Sequence, residues 1–357
     1  MTTLPKSPRA NVIGTGLIGA SVGLALREHG WHVTGSDTDS VTLERARDRG
    51  AIDTTGLDPD ADITFVALPV GAVAEAVRGA LAETRGAVTD VGSVKASITG
   101  AVDHPRFVGG HPMAGSEQLG VDGASVDLFQ GAVWVLTPTA GTSSDAFATV
   151  DAVVRSLGAD VVALPPERHD ALVAVVSHVP HLTAAALMGI ADERSEEHAA
   201  LLRLAAGGFR DMTRIAAGTP TIWPDICAEN REAIVEVIDR LTDELTRLRA
   251  IVNEGRRDDL LAALERAHVA RRNLPSRATR PEELAEMRVP VPDRGGVIAE
   301  VATLAAELGV NIADLEIAHS SEGDRGVLIL VVDRAGSESF RQGLADRGYR
   351  PTVTNLS

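Results

Sequence analysis

Five short stretches of this chain combine residue types that can do chemistry. The first is Gly14-Thr15-Gly16-Leu17-Ile18-Gly19, with Asp37 following Gly14 by 23 residues. Glycines in this pattern permit a tight turn, a close backbone approach to a pyrophosphate, and close packing of a helix on a strand. An acidic residue about 20 positions on can accept a ribose 2′-OH hydrogen bond and repel a 2′-phosphate. The second stretch, "TDVGSVK" (89–95), carries Ser93. The third, "GGHPMAG" (109–115), sets His111 directly before a proline and among glycines. The fourth, "HDALVAVVSHVPH" (169–181), carries Asp170, His178 and His181. The fifth, "GGFRDMTR" (207–214), carries Arg210, Asp211 and Arg214, with Trp223 beyond it.

Each stretch has a plain reading beside the chemical one. Asp37 favours NAD over NADP, although Thr38 and Ser40 leave some room for a phosphate. Ser93 can cap the helix that follows, face a nicotinamide, or do both. His111 by itself is an ordinary loop histidine. Arg210 and Arg214, four apart on one helical face after the Gly207-Gly208 break, form either a carboxylate clamp or a solvated basic face. His178 and His181 are three apart on a helix expected to be interrupted by Pro180, without an acidic or cysteine partner at matching spacing. No metal is therefore expected, and one of the two is placed in a substrate pocket.

The elements that must position these residues come in three textures. Residues Ala10–Ile13 read as a short strand, Leu17–Glu28 as a helix ended by Gly30, and "HVTGSD" as a second strand, making a βαβ unit. Further strands fit 63–69, whose end (Leu68, Pro69) belongs with the cofactor, and 87–93, 106–112, 132–138 and 159–165. Helical stretches lie between most of them, so residues 1–165 are expected to form a Rossmann-type, doubly wound α/β sheet. Ligands of such a sheet sit at the carboxyl ends of its strands, where Ser93 and His111 fall. Residues 166–280 show apolar positions at helical spacing and almost no strand signal, an all-α domain long enough for dimerisation through its helices. A polar linker at 275–283 leads to 284–357, which read βαββαβ, the ferredoxin-like order.

Composition narrows the field. A chain of 357 residues holds two or three domains, and 44% apolar residues with only 3% aromatics means cores of Ala, Val, Leu and Ile. A formal charge of −16 argues against nucleic acid or an anionic membrane as partner. An anionic ligand must then be held by a few local cations. The single cysteine, Cys227, excludes a disulfide framework and is expected to be a buried apolar residue. Neither a signal peptide nor an apolar run long enough to span a membrane is read, so a soluble cytoplasmic protein is expected.

Taken together, "GTGLIG", "DVGSVK", "GGHPMAGSE", "VSHVPH" and "GGFRDMTRIA", in that order, resemble the prephenate dehydrogenases of tyrosine biosynthesis (the TyrA family) over roughly residues 10–280. The C-terminal segment resembles an ACT domain. The resemblance implies hydride transfer from C4 of prephenate to NAD+, loss of the ring carboxylate as CO2, and formation of 4-hydroxyphenylpyruvate. It implies that His111 is the catalytic histidine, assisted by Ser93, and that Arg214 binds a substrate carboxylate. It places His181 near the other end of the substrate, Glu117, Arg210 and Asp211 at the pocket entrance, and Gly207 and Trp223 at the site. Some relatives have lysine at the position of Arg210.

Three rivals remain. Arogenate dehydrogenase would use the same fold and the same His111 chemistry. The β-hydroxyacid dehydrogenases resemble one another in using a lysine from the helical domain, and no lysine follows Lys95 here. A non-catalytic NAD and amino-acid sensor is disfavoured by the presence of Ser93, His111 and Arg214. An ACT-like segment implies L-tyrosine as an effector near Asp293, Gly295, Asn311 and Ile312, or else a dimerisation module without a ligand.

Overall fold

A computed structural model describes residues 8–115, 118, 120–195, 205–273, 284–292, 294–319 and 325–355. Glu117, Asp293 and the 275–283 linker lie outside the described residues. The chain divides into two compact units, Met1–Thr246 and Arg247–Ser357.

The first unit is built on eight strands: β1 Arg9–Ile13, β2 His32–Ser36, β3 Thr54–Thr55, β4 Ile63–Val66, β5 Ala87–Asp90, β6 Phe107–Pro112, β7 Val133–Thr137 and β8 Asp160–Ala163. They form one sheet in the order β3-β2-β1-β4-β5-β6-β7-β8. All neighbours are parallel except β6 and β7. The reversal of strand order between β1 and β4 is the crevice at which such sheets bind dinucleotides. Strands β4 and β5 are buried along their whole length, as expected of parallel strands covered on both faces. The covering helices are α1 Leu17–Glu28, α2 Ser40–Asp48, α3 Val70–Glu83, α4 Ala96–Ala101 and α5 Ser144–Ser156. One core layer joins Val22 and Leu26 of α1 and Val150 and Val153 of α5 to Val12, Phe65 and Trp134. The other joins Val73 and Val77 of α3 to Val66, Val88, Ile98 and Phe107. Burying each such side chain contributes about 1.5–3 kcal/mol relative to leaving it in water.

Two of the expected strands are shorter than the sequence suggests. They leave the sheet after Val66 and Asp90. Leu68, Pro69 and Ser93 therefore lie in loops beyond the strand ends, at the sheet's carboxyl edge.

A helical region follows: α6 Pro166–Val173, a π-helical turn Ala174–His178, α7 Val179–Ser195, α8 Gly207–Thr213, α9 Trp223–Glu229, α10 Arg231–Asn253 and α11 Arg257–Arg272. Pro166 sits in the first turn of α6, where its missing N–H costs nothing. The helix continues through the π-helical turn into α7, so Pro180 does not interrupt it; it stands in the first turn of α7. Two further expectations need correction. Gly207 and Gly208 are the first residues of α8, with Ala206 as its N-cap, so the non-helical step lies at 205–206 rather than at the glycines. The continuous helix Pro166–Glu193 is long and apolar enough, by length and composition, to cross a membrane. Its buried face nevertheless carries His169, Asp170 and His178, all hydrogen-bonded within this unit. Val175, Val176 and Ile190 are exposed on it.

The second unit takes in the end of α10 and all of α11; after them β9 Leu284–Pro292, α12 Val297–Glu307, β10 Ile312–His319, β11 Arg325–Asp333, α13 Arg334–Asp346 and β12 Thr352–Asn355 follow in βαββαβ order. The sheet is antiparallel, in the order β10-β11-β9-β12. Burial alternates along β9, with Met287, Val289 and Val291 inward against Val301, Leu304, Phe340 and Leu344. Gly295 is exposed in the β9–α12 turn, where Gly296 takes φ +91° as the α12 N-cap. Asn311 is exposed just before β10, and Ile312 packs against the sheet core.

Candidate active site

Strands β1, β4, β5 and β6 run in one direction, so the segments at their carboxyl ends open on a single edge. That edge collects the 14–19 turn, Leu68 and Pro69, the Ser93 loop and His111.

The 14–19 turn has the shape of a dinucleotide cradle. Gly14 has φ +88°, and a Cβ there would strike the Ala67 carbonyl oxygen, with the Leu68 side chain alongside. A Cβ on Gly19 would strike the Gly14 carbonyl oxygen. At Gly16 the corresponding space is open, with no atom within 4 Å. Gly16 is also the N-cap of α1 and supplies no side-chain cap, which leaves the first N–H groups of the helix available to an anion. Leu17 and Ile18 form the first turn, half-buried. Asp37 stands just past β2. Its Oδ2 accepts from Thr15 N at 2.7 Å and Thr15 Oγ1 at 3.1 Å, and its Oδ1 accepts from Asp39 N at 3.0 Å. Thr15 is fully buried, so its part in the cradle is to hold Asp37 against the glycine turn. Open space at Gly16, uncapped amides and a fixed carboxylate fit NAD+.

The glycines of "GGHPMAG" have a packing reason. A Cβ on Gly109 would collide with Thr137 Oγ1, and one on Gly110 would press on the Asp90 carbonyl and on Trp134. The histidine that follows is buried, 8% exposed. Its Nδ1 lies 2.8 Å from His169 Nε2, and His169 Nδ1 lies 2.7 Å from Asp170 Oδ1. Burial first, then the nearby His169, Lys95 and His178, hold His111 well below the usual histidine range. The imidazole is therefore neutral near pH 7.

Two buried carboxylates fasten this edge. Asp90 Oδ1 accepts from Gly110 N at 3.1 Å, and its Oδ2 accepts from Gly92 N at 2.8 Å and pairs with the fully buried Lys95 ammonium. Asp170, from α6, accepts from Lys95 N and Ala96 N, both at 2.8 Å. Asp170 is thus the cap of α4, and the expectation that Ser93 caps it is corrected: the N-cap position is Lys95, and the capping oxygens arrive from 75 residues away. Ser93 is half-buried in the loop between the strand and the helix.

The network extends into the helical region. Asn230, following α9, donates to the Asp170 carbonyl at 2.9 Å and lies 3.1 Å from His178 Nδ1. Burial holds His178 down at about 4. The His178 ring meets Trp223 edge-on, and Trp223 stacks on His181 with centroids 3.7 Å apart and planes 12° from parallel. Gly218 lies beside His181 and ends the 3-10 turn that starts at Arg214. Arg214 is thus one step past α8 rather than on it. Even so, Arg210, Asp211 and Arg214 line one cavity of about 620 Å³ with Ala185 and Met188. Gly207 is exposed at the start of α8 and does not line that cavity. Cys227 is partly buried against Val179 and Ile234, in line with an apolar role.

Sequence reasoning missed His169, Asn230 and Asp90, and saw Asp170 and Lys95 without their roles. The only available signal was the His-Asp pair opening the 169–181 stretch.

A doubly wound sheet with a glycine cradle and a neutral buried histidine at its carboxyl edge, continued into a helical region bearing arginines, defines an NAD-binding oxidoreductase. Residues 22–163 match the family model described as "Prephenate dehydrogenase, nucleotide-binding domain" and residues 165–266 match "Prephenate dehydrogenase, dimerization domain". The chain belongs to the prephenate dehydrogenase family. It is 32% identical over 332 residues to the prephenate dehydrogenase of Bacillus subtilis (strain 168), covering 88% of this chain and 89% of that one. The structure is similar to that of a prephenate dehydrogenase from A. aeolicus in complex with hydroxyphenyl propionate and NAD+. The TM-score is 0.71 and the identity 30%, covering 75% of this chain and 99% of that one. It is also similar to Synechocystis arogenate dehydrogenase, with a TM-score of 0.64 and 30% identity over 74% of this chain and 98% of that one.

Proposed function

We propose that this chain converts prephenate to 4-hydroxyphenylpyruvate and CO2 with NAD+ as hydride acceptor, serving tyrosine biosynthesis in the cytoplasm. The observation that carries this reading is the neutral, buried His111 at the carboxyl end of β6, on the same sheet edge as the glycine cradle. Bound NAD+ supplies the acceptor for the hydride from the carbinol carbon, C4. The cradle at Gly14, Thr15, Gly16, Leu17, Ile18 and Gly19, with Asp37, Leu68, Pro69 and Ser93, holds the cofactor at that edge.

His111 accepts the proton of the C4 hydroxyl as the carbon–hydrogen bond breaks. A neutral imidazole can do this and an imidazolium cannot. Ser93 orients the hydroxyl. Arg214, with Arg210 and Asp211 in the same cavity, takes a substrate carboxylate, and His181, fixed by its stack on Trp223, meets the substrate's other end. Glu117, with Arg210 and Asp211, is assigned to the pocket entrance, and Gly207 and Trp223 to the site. Domains spanning 1–165, 166–280 and 284–357 divide these tasks: cofactor binding, substrate binding with homodimerisation, and an ACT-like module with tyrosine as effector near Asp293, Gly295, Asn311 and Ile312. Dimerisation accords with the exposed apolar side chains Val175, Val176, Met212 and Ile238 on the helical region.

NADH formation followed by absorbance tests the reading. Prephenate with NAD+ is the expected productive pair, and replacing His111 by Asn should lower kcat by on the order of 100-fold or more while NAD+ still binds. Faster turnover of arogenate than of prephenate would instead place the chain with the arogenate dehydrogenases, to which it is also similar.

A further inference from the structure

Accepting a proton at one imidazole nitrogen requires that the other carry one. In a buried histidine, something must decide which is which. Here the decision can be traced along two hydrogen bonds. A carboxylate only accepts, so the proton between Asp170 Oδ1 and His169 Nδ1 belongs to His169. Carrying that one proton, His169 has its lone pair on Nε2. The next link, 2.8 Å long, reads in one direction only: His111 Nδ1–H donates and His169 Nε2 accepts. His111 is left with its lone pair on Nε2.

The start of this chain cannot drift. Asp170 is held by Lys95 N and Ala96 N, and its own carbonyl accepts from Asn230. His169 is 1% exposed, so water does not compete for either of its nitrogens. The charged and titratable groups facing the pair are Lys95 with its partner Asp90 from the β5–α4 side, and Asp170 and His178 from the helix that carries His169. A protonated His169 would donate to His111 Nδ1, force the proton of His111 onto Nε2, and leave nothing to accept the hydroxyl proton.

We propose that His169 and Asp170 are positioning residues. They hold His111 in its Nδ1–H tautomer and stabilise the positive charge that arises on His111 when Nε2 takes the substrate proton. The inference rests on the reading of His111 as proton acceptor. Its mechanical basis is that the polarity of the site is set by the Asp170 carboxylate, two rings away from the reacting atoms.

Three variants and one spectrum test this. His169→Leu removes the acceptor: kcat should fall by about 10- to 100-fold, with KM for prephenate and for NAD+ unchanged. His169→Gln places an amide oxygen where it can accept from His111 Nδ1–H, and should restore most of the lost kcat. In 15N-histidine-labelled wild-type protein at pH 7.5, His111, identified by its loss in His111→Asn, should be protonated on Nδ1 and bare on Nε2. Wild-type turnover in His169→Leu, with His111→Asn inactive, would overturn the positioning role and leave His111 standing. A Gln variant as slow as the Leu variant would overturn the tautomer role. Wild-type turnover in His111→Asn would instead remove the reading of His111 itself. If the Leu variant does not fold, a His111 protonated on Nε2 in the wild-type spectrum overturns the proposal by itself.

Discussion

Replacing Asp90 by Asn tests the physics beneath the catalytic edge. Lys95 is fully buried, and its ammonium is paired with the Asp90 carboxylate. Asparagine is nearly the same size but supplies no charge, so the stranded lysine escapes by losing its proton. An unfolded lysine titrates at 10.5. Neutralising it at pH 7 costs about 1.4 kcal/mol for each pH unit up to that value, or about 5 kcal/mol. Asp90 also accepts Gly110 N and Gly92 N on separate oxygens. Asn has one oxygen, so one buried donor is left unpaired at a further cost of about 1–3 kcal/mol that does not depend on pH.

The sign follows from linkage. In the variant the folded lysine binds no proton and the unfolded one binds one, so unfolding free energy rises with pH by about 1.4 kcal/mol per unit below 10.5. In the wild type, burial lowers Lys95 from 10.5 while Asp90 and Asp170 raise it, so the same slope is absent as long as the paired lysine keeps its charge and enters only above its own folded value. The deficit of Asp90→Asn should therefore shrink by about 3 kcal/mol between pH 7 and pH 9. Urea unfolding followed by tryptophan fluorescence at pH 7, 8 and 9 measures it. A deficit equal at pH 7 and pH 9, or no deficit at all, would refute the argument that Lys95 is a buried charge held by Asp90.

Three further outcomes are expected. Arg214→Ala should raise KM for prephenate several-fold more than it lowers kcat, because a carboxylate contact away from the reacting carbon is made in ground and transition states alike; an unchanged KM would remove Arg214 from that role. Asp37→Ala should weaken NAD+ and narrow its advantage over NADP+, read from the two KM values; an unaltered preference would show that the carboxylate serves only Thr15. The two buried histidines make rate and stability respond differently to a pH series. With His111 held well below 6.5, kcat/KM should stay level on acidification past pH 6. Stability, however, should be lost as pH falls from about 6.5 towards the value of about 4 at which folded His178 titrates. Depressed folded values mean protons bind the unfolded chain first; His111 adds to the same slope, and His178→Gln should remove only the His178 share of it.

The elements were legible because they rest on local chemistry. The strand-turn-helix of 10–28 needs only an apolar run, three glycines and an amphipathic stretch, and it formed over Arg9–Ile13 and Leu17–Glu28. Where local signals compete, strand ends are ambiguous. "ITFVALP" and "AVTDVGS" are apolar beyond the point where the strands end at Val66 and Asp90. The excess is apolar because Ala67, Leu68 and Val91 pack in or against the core, not because the strands continue. Gly207-Gly208 looked like a break and is a beginning, since glycine serves at either end of a helix. Ser93 has the residue type and the position of a local cap. The oxygens that cap α4 belong to Asp170.

The sequence alone determined that a dinucleotide cradle, a His-Pro loop and an arginine-bearing segment occur in that order, because glycine conformational freedom, apolar periodicity and residue chemistry are properties of neighbours along the chain. Only the tertiary structure decided what state His111 is in. Its neutrality comes from burial beside His169, Lys95 and His178, and its hydrogen-bond polarity comes from a carboxylate on α6, outside the strand that carries it. Desolvation and charge coupling act through space, over a few ångströms, between residues that the sequence holds 58 positions apart.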